Sequence, residues 1–348
     1  MRIAQIAPLW VPVPPRTHGG TELIVSLLTE ELIGRGHNVT LYASGDSQTA
    51  GKLISTCPRA IWRDPGLKDP HACIMSLVSR VLADAGQYDL IHNHAGFYFT
   101  PFARHIQTPI VQTFHRPIYP ETHRLYLETT NTAFVAISKD QAKSAEPIPI
   151  ARVIYNGIPL DRYPFSSTSK GYLLFLSRIA PDKGIIEAIE AARAAHRKLI
   201  IAGNIVRRKV SGHDDYDFFV RRVKPRIDGS QIVYVGEADF GKKVELLRGA
   251  DALLFPVRRR EPFGLVPIEA MACGTPVIAF RQGSTPELID DGITGLLVDG
   301  VRSMAKATGR IATIDRNACR RVAEERFSAT RMVDEYENLY RELVSVKV

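Results

Sequence analysis

Residues 258–287 read RRREPFGLVPIEAMACGTPVIAFRQGSTPE, and this stretch decides the fold. Glu261 and Glu269 bracket seven residues. Pro262 and Gly264 punctuate the segment after Glu261, which predicts a loop for that carboxylate. Pro267 suits the first turn of a helix, where a missing N–H loses no hydrogen bond. Glu269 is then expected in that first turn, at the positive end of the helix dipole. Gly274 closes the helix, and Pro276 to Phe280 follow as a buried strand. Two carboxylates at one helix N-terminus, with free amides between them, suit a ligand carrying both phosphate and diols: amides take the anion and carboxylates the hydroxyl pairs. Spacing alone also allows a plainer reading, a surface loop whose glutamates cap a helix.

The residue types separate the two readings. Glu-Pro-Phe-Gly-Leu-x-Pro-x-Glu-Ala-Met-Ala-x-Gly-x-Pro-Val, from Glu261 to Val277, resembles the signature of the retaining glycosyltransferases of family four, also called group 1. The resemblance implies the GT-B fold: α/β, two doubly wound Rossmann-like domains facing a central cleft. It implies contact of Glu261 with hydroxyls of the transferred sugar and of Glu269 with the ribose of the nucleotide. Phe263, Gly264 and Leu265, between them, are expected on the donor side.

Other segments match in the right order. Ser177-Arg178-Ile-Ala-Pro-Asp-Lys183-Gly184 follows a strand-like Tyr172 to Leu176 and opens a helix from Ile185 to His196. A guanidinium offers a bidentate fork for phosphate and an ammonium a compact point charge. In the family this Arg and Lys hold the donor diphosphate, which implies that role for Arg178 and Lys183. Near the N-terminus, Arg2 to Pro8 reads as a strand, Gly19-Gly20 as a turn, and Thr21 to Ile33 as a helix with apolar residues at three- and four-residue intervals. Asn38 to Ala43 is the next strand. This βαβ unit lacks the dinucleotide fingerprint, which disfavours a dehydrogenase. Adjacent glycines let backbone amides approach a ligand, and the resemblance implies donor contact at Gly19 and Gly20.

Strands are also expected at 88–94, 109–115, 133–138, 152–157, 198–202, 231–236, 251–256 and 292–298. Residues 49–87 read as helical and irregular. His92 and His94 share one face of their strand and raise the idea of a metal pair. No further ligand of suitable spacing follows, and no metal is expected. The Thr-Phe-His ending of the fourth strand resembles the family's N-domain histidine, which makes His115 rather than His94 the candidate at the sugar. Gly236 marks the loop where family members read the base. The Asp-x-Asp at Asp215 and Asp217 reads as solvated loop or helix start.

Four regions follow: residues 1–158, an acceptor-binding Rossmann-like domain; a Pro- and Ser-rich linker, 159–171; residues 172–326, the nucleotide-sugar domain; and a long amphipathic helix, 327–348, crossing back to the first domain.

Composition sets the class. The chain has 348 residues, 45% hydrophobic and 24% charged, which suits a globular protein of two domains. Cys57, Cys73, Cys273 and Cys319 are scattered without redox or metal spacing, which suggests a reduced cytoplasmic setting. The net charge is +8, with basic clusters at 207–209, 221–226 and 258–260. Solvated surface accounts for most of this charge. An anionic face of the inner membrane, touched peripherally, or an acidic acceptor are the sharper readings. No nucleic-acid motif accompanies it.

The expected activity is hexosyl transfer (EC 2.4) from a nucleotide-diphosphate sugar to an acceptor hydroxyl, with retention and without metal or other cofactor. Arg178, Lys183 and the amides near Gly264 are expected to stabilise the departing diphosphate. No residue in the motifs resembles a covalent nucleophile, so a same-face route is expected, with Glu261 orienting the sugar and a phosphate oxygen taking the acceptor's proton. A UDP-hexose is favoured over GDP-mannose on general frequency, not on any residue. The alternatives are a phosphorylase-like enzyme on the same fold and an inactive sugar-nucleotide-binding protein.

Overall fold

The computed structural model describes residues 1–206, 209–210 and 213–345. Arg207 and Arg208 of the first basic cluster, and the last three residues of the expected C-terminal helix, lie outside them. The chain divides into two compact units, Met1–Gly157 with Ala329–Val348, and Ile158–Ser328. Each is an α/β layer structure around a parallel sheet.

The first unit holds seven strands: β1 (Arg2–Ile6), β2 (Asn38–Tyr42), β3 (Lys52–Ile54), β4 (Leu90–Asn93), β5 (Ile110–Phe114), β6 (Thr132–Ala136) and β7 (Ile150–Val153). Their order is β3-β2-β1-β4-β5-β6-β7. β4 and β5 are central and buried along their whole length, and their polar residues His92, Asn93, Gln112 and Thr113 are hydrogen-bonded in the interior. The sheet order reverses between β1 and β4, and ligands of open α/β sheets bind beyond strand C-termini at that point. The loops after β1, β4 and β5 carry Gly19, His94 and His115.

Two features here escape the sequence reading. β3 is a half-exposed three-residue edge strand, too short to show a period. Helix Pro70–Asp84 is regular: Asp69 caps it by accepting from the His71 and Ala72 N–H groups, and Pro70 opens it. Its Ile74, Leu77, Val78 and Val81 pack into the core with Ile6, Tyr42 and Phe99.

The second unit holds β8 (Tyr172–Leu176), β9 (Leu199–Ala202), β10 (Ile232–Tyr234), β11 (Ala250–Phe255), β12 (Val277–Phe280) and β13 (Gly295–Val298). They form one parallel sheet in the order β10-β9-β8-β11-β12-β13, beside a short antiparallel ribbon at Lys209–Val210 and His213–Asp214. The reversal here falls between β8 and β11. The loop after β8 carries Arg178 and Lys183; the loop after β11 carries Glu261.

Residues 159–171, expected as a linker, belong to the second unit, where Tyr163 is fully buried and Ser166 N–H donates to Cys273 O. The helix expected at the C-terminus is present as Ala329–Ser345, and a separate helix precedes it. Arg316–Phe327 ends at Ser328, whose extended backbone bridges to Ile158, and Ala329–Ser345 follows. The second helix buries Met332, Val333, Tyr336, Leu339 and Tyr340 in the first unit.

Candidate functional site

In the second unit, three glycines shape the site. Gly184 follows Lys183 with φ 76°, and a Cβ there would lie 1.8 Å from Pro256 O. Only glycine lets the β8 turn pack against the end of β11, which brings Lys183 to Glu261. Gly283 (φ 59°) presses on the Glu261 backbone, where a Cβ would approach within 2.7 Å of its nitrogen. Ser284 completes the clamp: its N–H donates to Glu261 O at 3.2 Å and its hydroxyl to Phe263 O at 2.5 Å. Gly264, φ 95°, precedes helix Leu265–Ala272.

Every expected cation has a carboxylate partner. Lys183 Nζ lies 2.7 Å from Glu261 Oε2, both side chains about one-fifth exposed. Arg178 Nη1 lies 2.5 Å from Asp215 Oδ2 and Nη2 3.4 Å from Asp182 Oδ1. Asp215 and Asp217 lie in the first turn of a short helix, as one of the two readings expected, and Asp217 is exposed, but Asp215 is fully buried rather than solvated. Two guanidinium N–H bonds are thereby used, and a guanidinium carries five.

Glu269 is also placed differently from expectation. It is the fifth residue of its helix, not in the first turn, and is buried. Its Oε1 accepts from Tyr163 Oη at 2.7 Å and Lys243 Nζ at 2.5 Å. Burial and the adjacent Glu269 charge raise the Tyr163 hydroxyl far above its ordinary range. Neither Tyr163 nor Lys243 carries a sequence signal, since they lie 106 and 26 positions from Glu269. The Phe263 ring is buried against Phe327, which keeps the ring itself from a ligand. Leu265 is half-buried at the helix start. Gly236 (φ 82°) sits in open space after β10, its carbonyl accepting from Gly203 N–H.

In the first unit, Gly19 has φ 140°, and a Cβ there would meet Pro15 at 2.8 Å and Glu22 Oε2 at 3.0 Å. Gly20 begins the helix Gly20–Gly34. Beneath this turn Glu22 is buried, and desolvation raises its carboxyl to about 7 against a smaller opposing pull from Arg116. His94 and His115 line a cavity of about 220 Å³ together with Trp10, Phe97, Tyr98 and Tyr119. His92 contacts Tyr340 Oη and Thr113 Oγ1, and His94 contacts His115 and Gln5. Burial, and secondarily Arg116, pushes His115 down to about 3, so its imidazole is neutral at physiological pH. Among the described residues no helix is long and apolar enough to cross a membrane.

Two family models match the chain, "Glycosyltransferase Family 4" over residues 18–162 and "Glycosyl transferases group 1" over residues 162–326. The chain belongs to this family of sugar-transferring enzymes, on the GT-B fold. A D-inositol 3-phosphate glycosyltransferase of Arthrobacter sp. is 26% identical over 81% of this chain and 78% of its own. Sucrose-phosphate synthase from Thermosynechococcus elongatus superposes with a TM-score of 0.80 at 21% identity, covering 99% of this chain and 100% of that one. Anabaena HepE in complex with UDP-glucose gives 0.76 at 19%, covering 98% and 100%.

Proposed function

We propose that the protein moves a hexosyl group, with retention and without metal, from a nucleoside diphosphate sugar to an acceptor hydroxyl. The observation that carries this reading is the Lys183–Glu261 pair beside Arg178, on the two loops where the second sheet reverses its order. An arriving diphosphate offers Lys183 a doubly charged partner. As the ammonium turns to it, Glu261 is released to accept hydrogen bonds from sugar hydroxyls. Arg178, held from behind by Asp215 and Asp182, presents its remaining N–H groups to the phosphates. The helix start at Gly264 and Leu265 adds backbone amides to the anion. Charge developing on the leaving diphosphate is then met by groups already in place, the arrangement that lowers such a barrier most.

Glu269 is the candidate for the ribose, through whichever oxygen lone pairs Tyr163 and Lys243 leave. In this reading Gly19 and Gly20 are assigned to the donor phosphates, His115 to the transferred sugar and Gly236 to the base, by the roles that the family's matching positions imply. UDP is the favoured nucleotide, supported by the UDP-glucose complex of HepE. The reaction keeps configuration when a phosphate oxygen takes the acceptor proton on the face the diphosphate leaves, with no enzyme nucleophile.

The test is UDP release from UDP-glucose with a panel of hydroxyl acceptors, with and without EDTA, and proton NMR of the product's anomeric centre. Retention, insensitivity to EDTA and a loss of about a hundredfold or more in Glu261→Gln are expected. Inversion, or a covalent glycosyl-enzyme seen by mass spectrometry, rejects the mechanism. Consumption of inorganic phosphate in place of UDP release selects the phosphorylase reading.

A further inference from the structure

A buried chain of hydrogen bonds runs through the first unit and ends at His115. Gln5 of β1 is fully buried. Its side-chain nitrogen donates to Tyr340 Oη at 3.4 Å, which directs its carbonyl to His94 Nε2 at 2.8 Å. An amide oxygen can only accept, so His94 carries its proton on Nε2. A neutral imidazole has one donor and one acceptor, so His94 Nδ1 is an acceptor. His115 Nε2 lies 2.9 Å from it and must donate. The same logic continues on the other side of Gln5. Tyr340 Oη donates to His92 Nδ1 at 2.5 Å, and His92 Nε2 donates to Thr113 Oγ1 at 2.8 Å. Tyr340 lies on helix Ala329–Ser345, so the C-terminal segment anchors the chain.

We propose that Gln5 and His94 are positioning residues that fix the tautomer of His115, holding its proton on Nε2 and leaving Nδ1 as the acceptor for a substrate hydroxyl in the cavity. His115 then meets that hydroxyl as an acceptor and never as a donor. It recognises an –OH and rejects an ether or a carbonyl at the same place, because two lone pairs would face each other. A site built to pair a hydroxyl discriminates strongly against the analogue lacking it. The substrate part of this inference rests on the sugar-transfer reading; the tautomer part does not.

The experiment is a long-range proton–nitrogen correlation spectrum of the full chain with nitrogen-labelled histidines, with His115 assigned by its loss in His115→Gln. In the wild type, His115 should show a pyrrole-type Nε2 and a pyridine-type Nδ1. Gln5→Leu removes the acceptor from His94 Nε2, and His115 should then exchange between both tautomers. UDP release from UDP-glucose should fall about tenfold in kcat with KM changed less than about twofold. Gln5→Glu keeps an acceptor at that position and should restore both spectrum and rate. A wild-type proton on Nδ1, or an unmoved tautomer in folded Gln5→Leu, overturns the proposal. The wild-type spectrum decides even if Gln5→Leu misfolds. Failure to turn over any sugar nucleotide, with the tautomer as described, counts against the donor reading alone.

Discussion

Lys243→Met isolates the buried charge at Glu269. The methionine keeps the stem of the side chain and its packing over Phe240, where Lys243 Nζ now sits 5.1 Å from the ring centroid. What it removes is the ammonium 2.5 Å from Glu269 Oε1, leaving a carboxylate whose side chain is 3% exposed, with Tyr163 Oη donating to it. Removing one partner of a buried ion pair costs about 3–5 kcal/mol, because the other charge stays desolvated. The lysine end is 19% exposed, so water takes over part of its role, and the lower end of that range applies, about 3 kcal/mol. For a unit of this size that lowers the melting temperature by roughly 6–12 °C. Differential scanning calorimetry and urea unfolding of the full chain measure it. The double variant Lys243→Met with Glu269→Gln should recover about half of the loss or more, since the orphaned charge is gone. A single variant within about 0.5 kcal/mol of wild type, or a double variant no more stable than Lys243→Met, would refute the buried-pair argument.

Three further outcomes follow from the same geometry. Gly184→Ala meets Pro256 O and a left-handed φ at once, so it should cost about 2 kcal/mol or more and move Lys183 off Glu261. UDP release should drop at least about tenfold, while Gly229→Ala, with φ 77° in open space, should cost about 1–2 kcal/mol and spare activity. Lys183→Ala should weaken UDP binding, read as loss of UDP-induced thermal stabilisation. Finally, the Glu22 carboxyl is raised from 4.5 to about 7, so folding binds a proton over that window. Stability contributed by the protonated form is full below about 4.5 and lost as pH rises through 7, by about 3 kcal/mol. Glu22→Gln should abolish that slope and be the more stable protein at pH 8. An unchanged slope in urea unfolding between pH 5 and 8 would count against it.

Much of the fold was legible because its determinants are local. The runs at 172–176 and 198–202 are near-continuous apolar strands, and the glycine after Lys183 marks a left-handed turn whichever sheet it joins. What escaped was non-periodic or distant. Lys52–Ile54 is too short for alternation. Asp215 looked solvated because its neighbours are polar, yet Arg178, 37 positions away, draws it into the interior. Glu269 was read two positions too early in its helix, because the helix begins at Leu265 rather than at its proline.

By itself the sequence determined the alternation of strands and helices, the two sugar-nucleotide motifs and the family they belong to. Spacing along a chain sets which groups a turn presents and in what order. Only the tertiary structure decided which polar groups pair: Lys183 with Glu261, Arg178 with Asp215, Lys243 and Tyr163 with Glu269, and Gln5 with His94. These pairings join residues from different strands and loops. Their energy depends on distance and desolvation, which exist only once the sheets have formed.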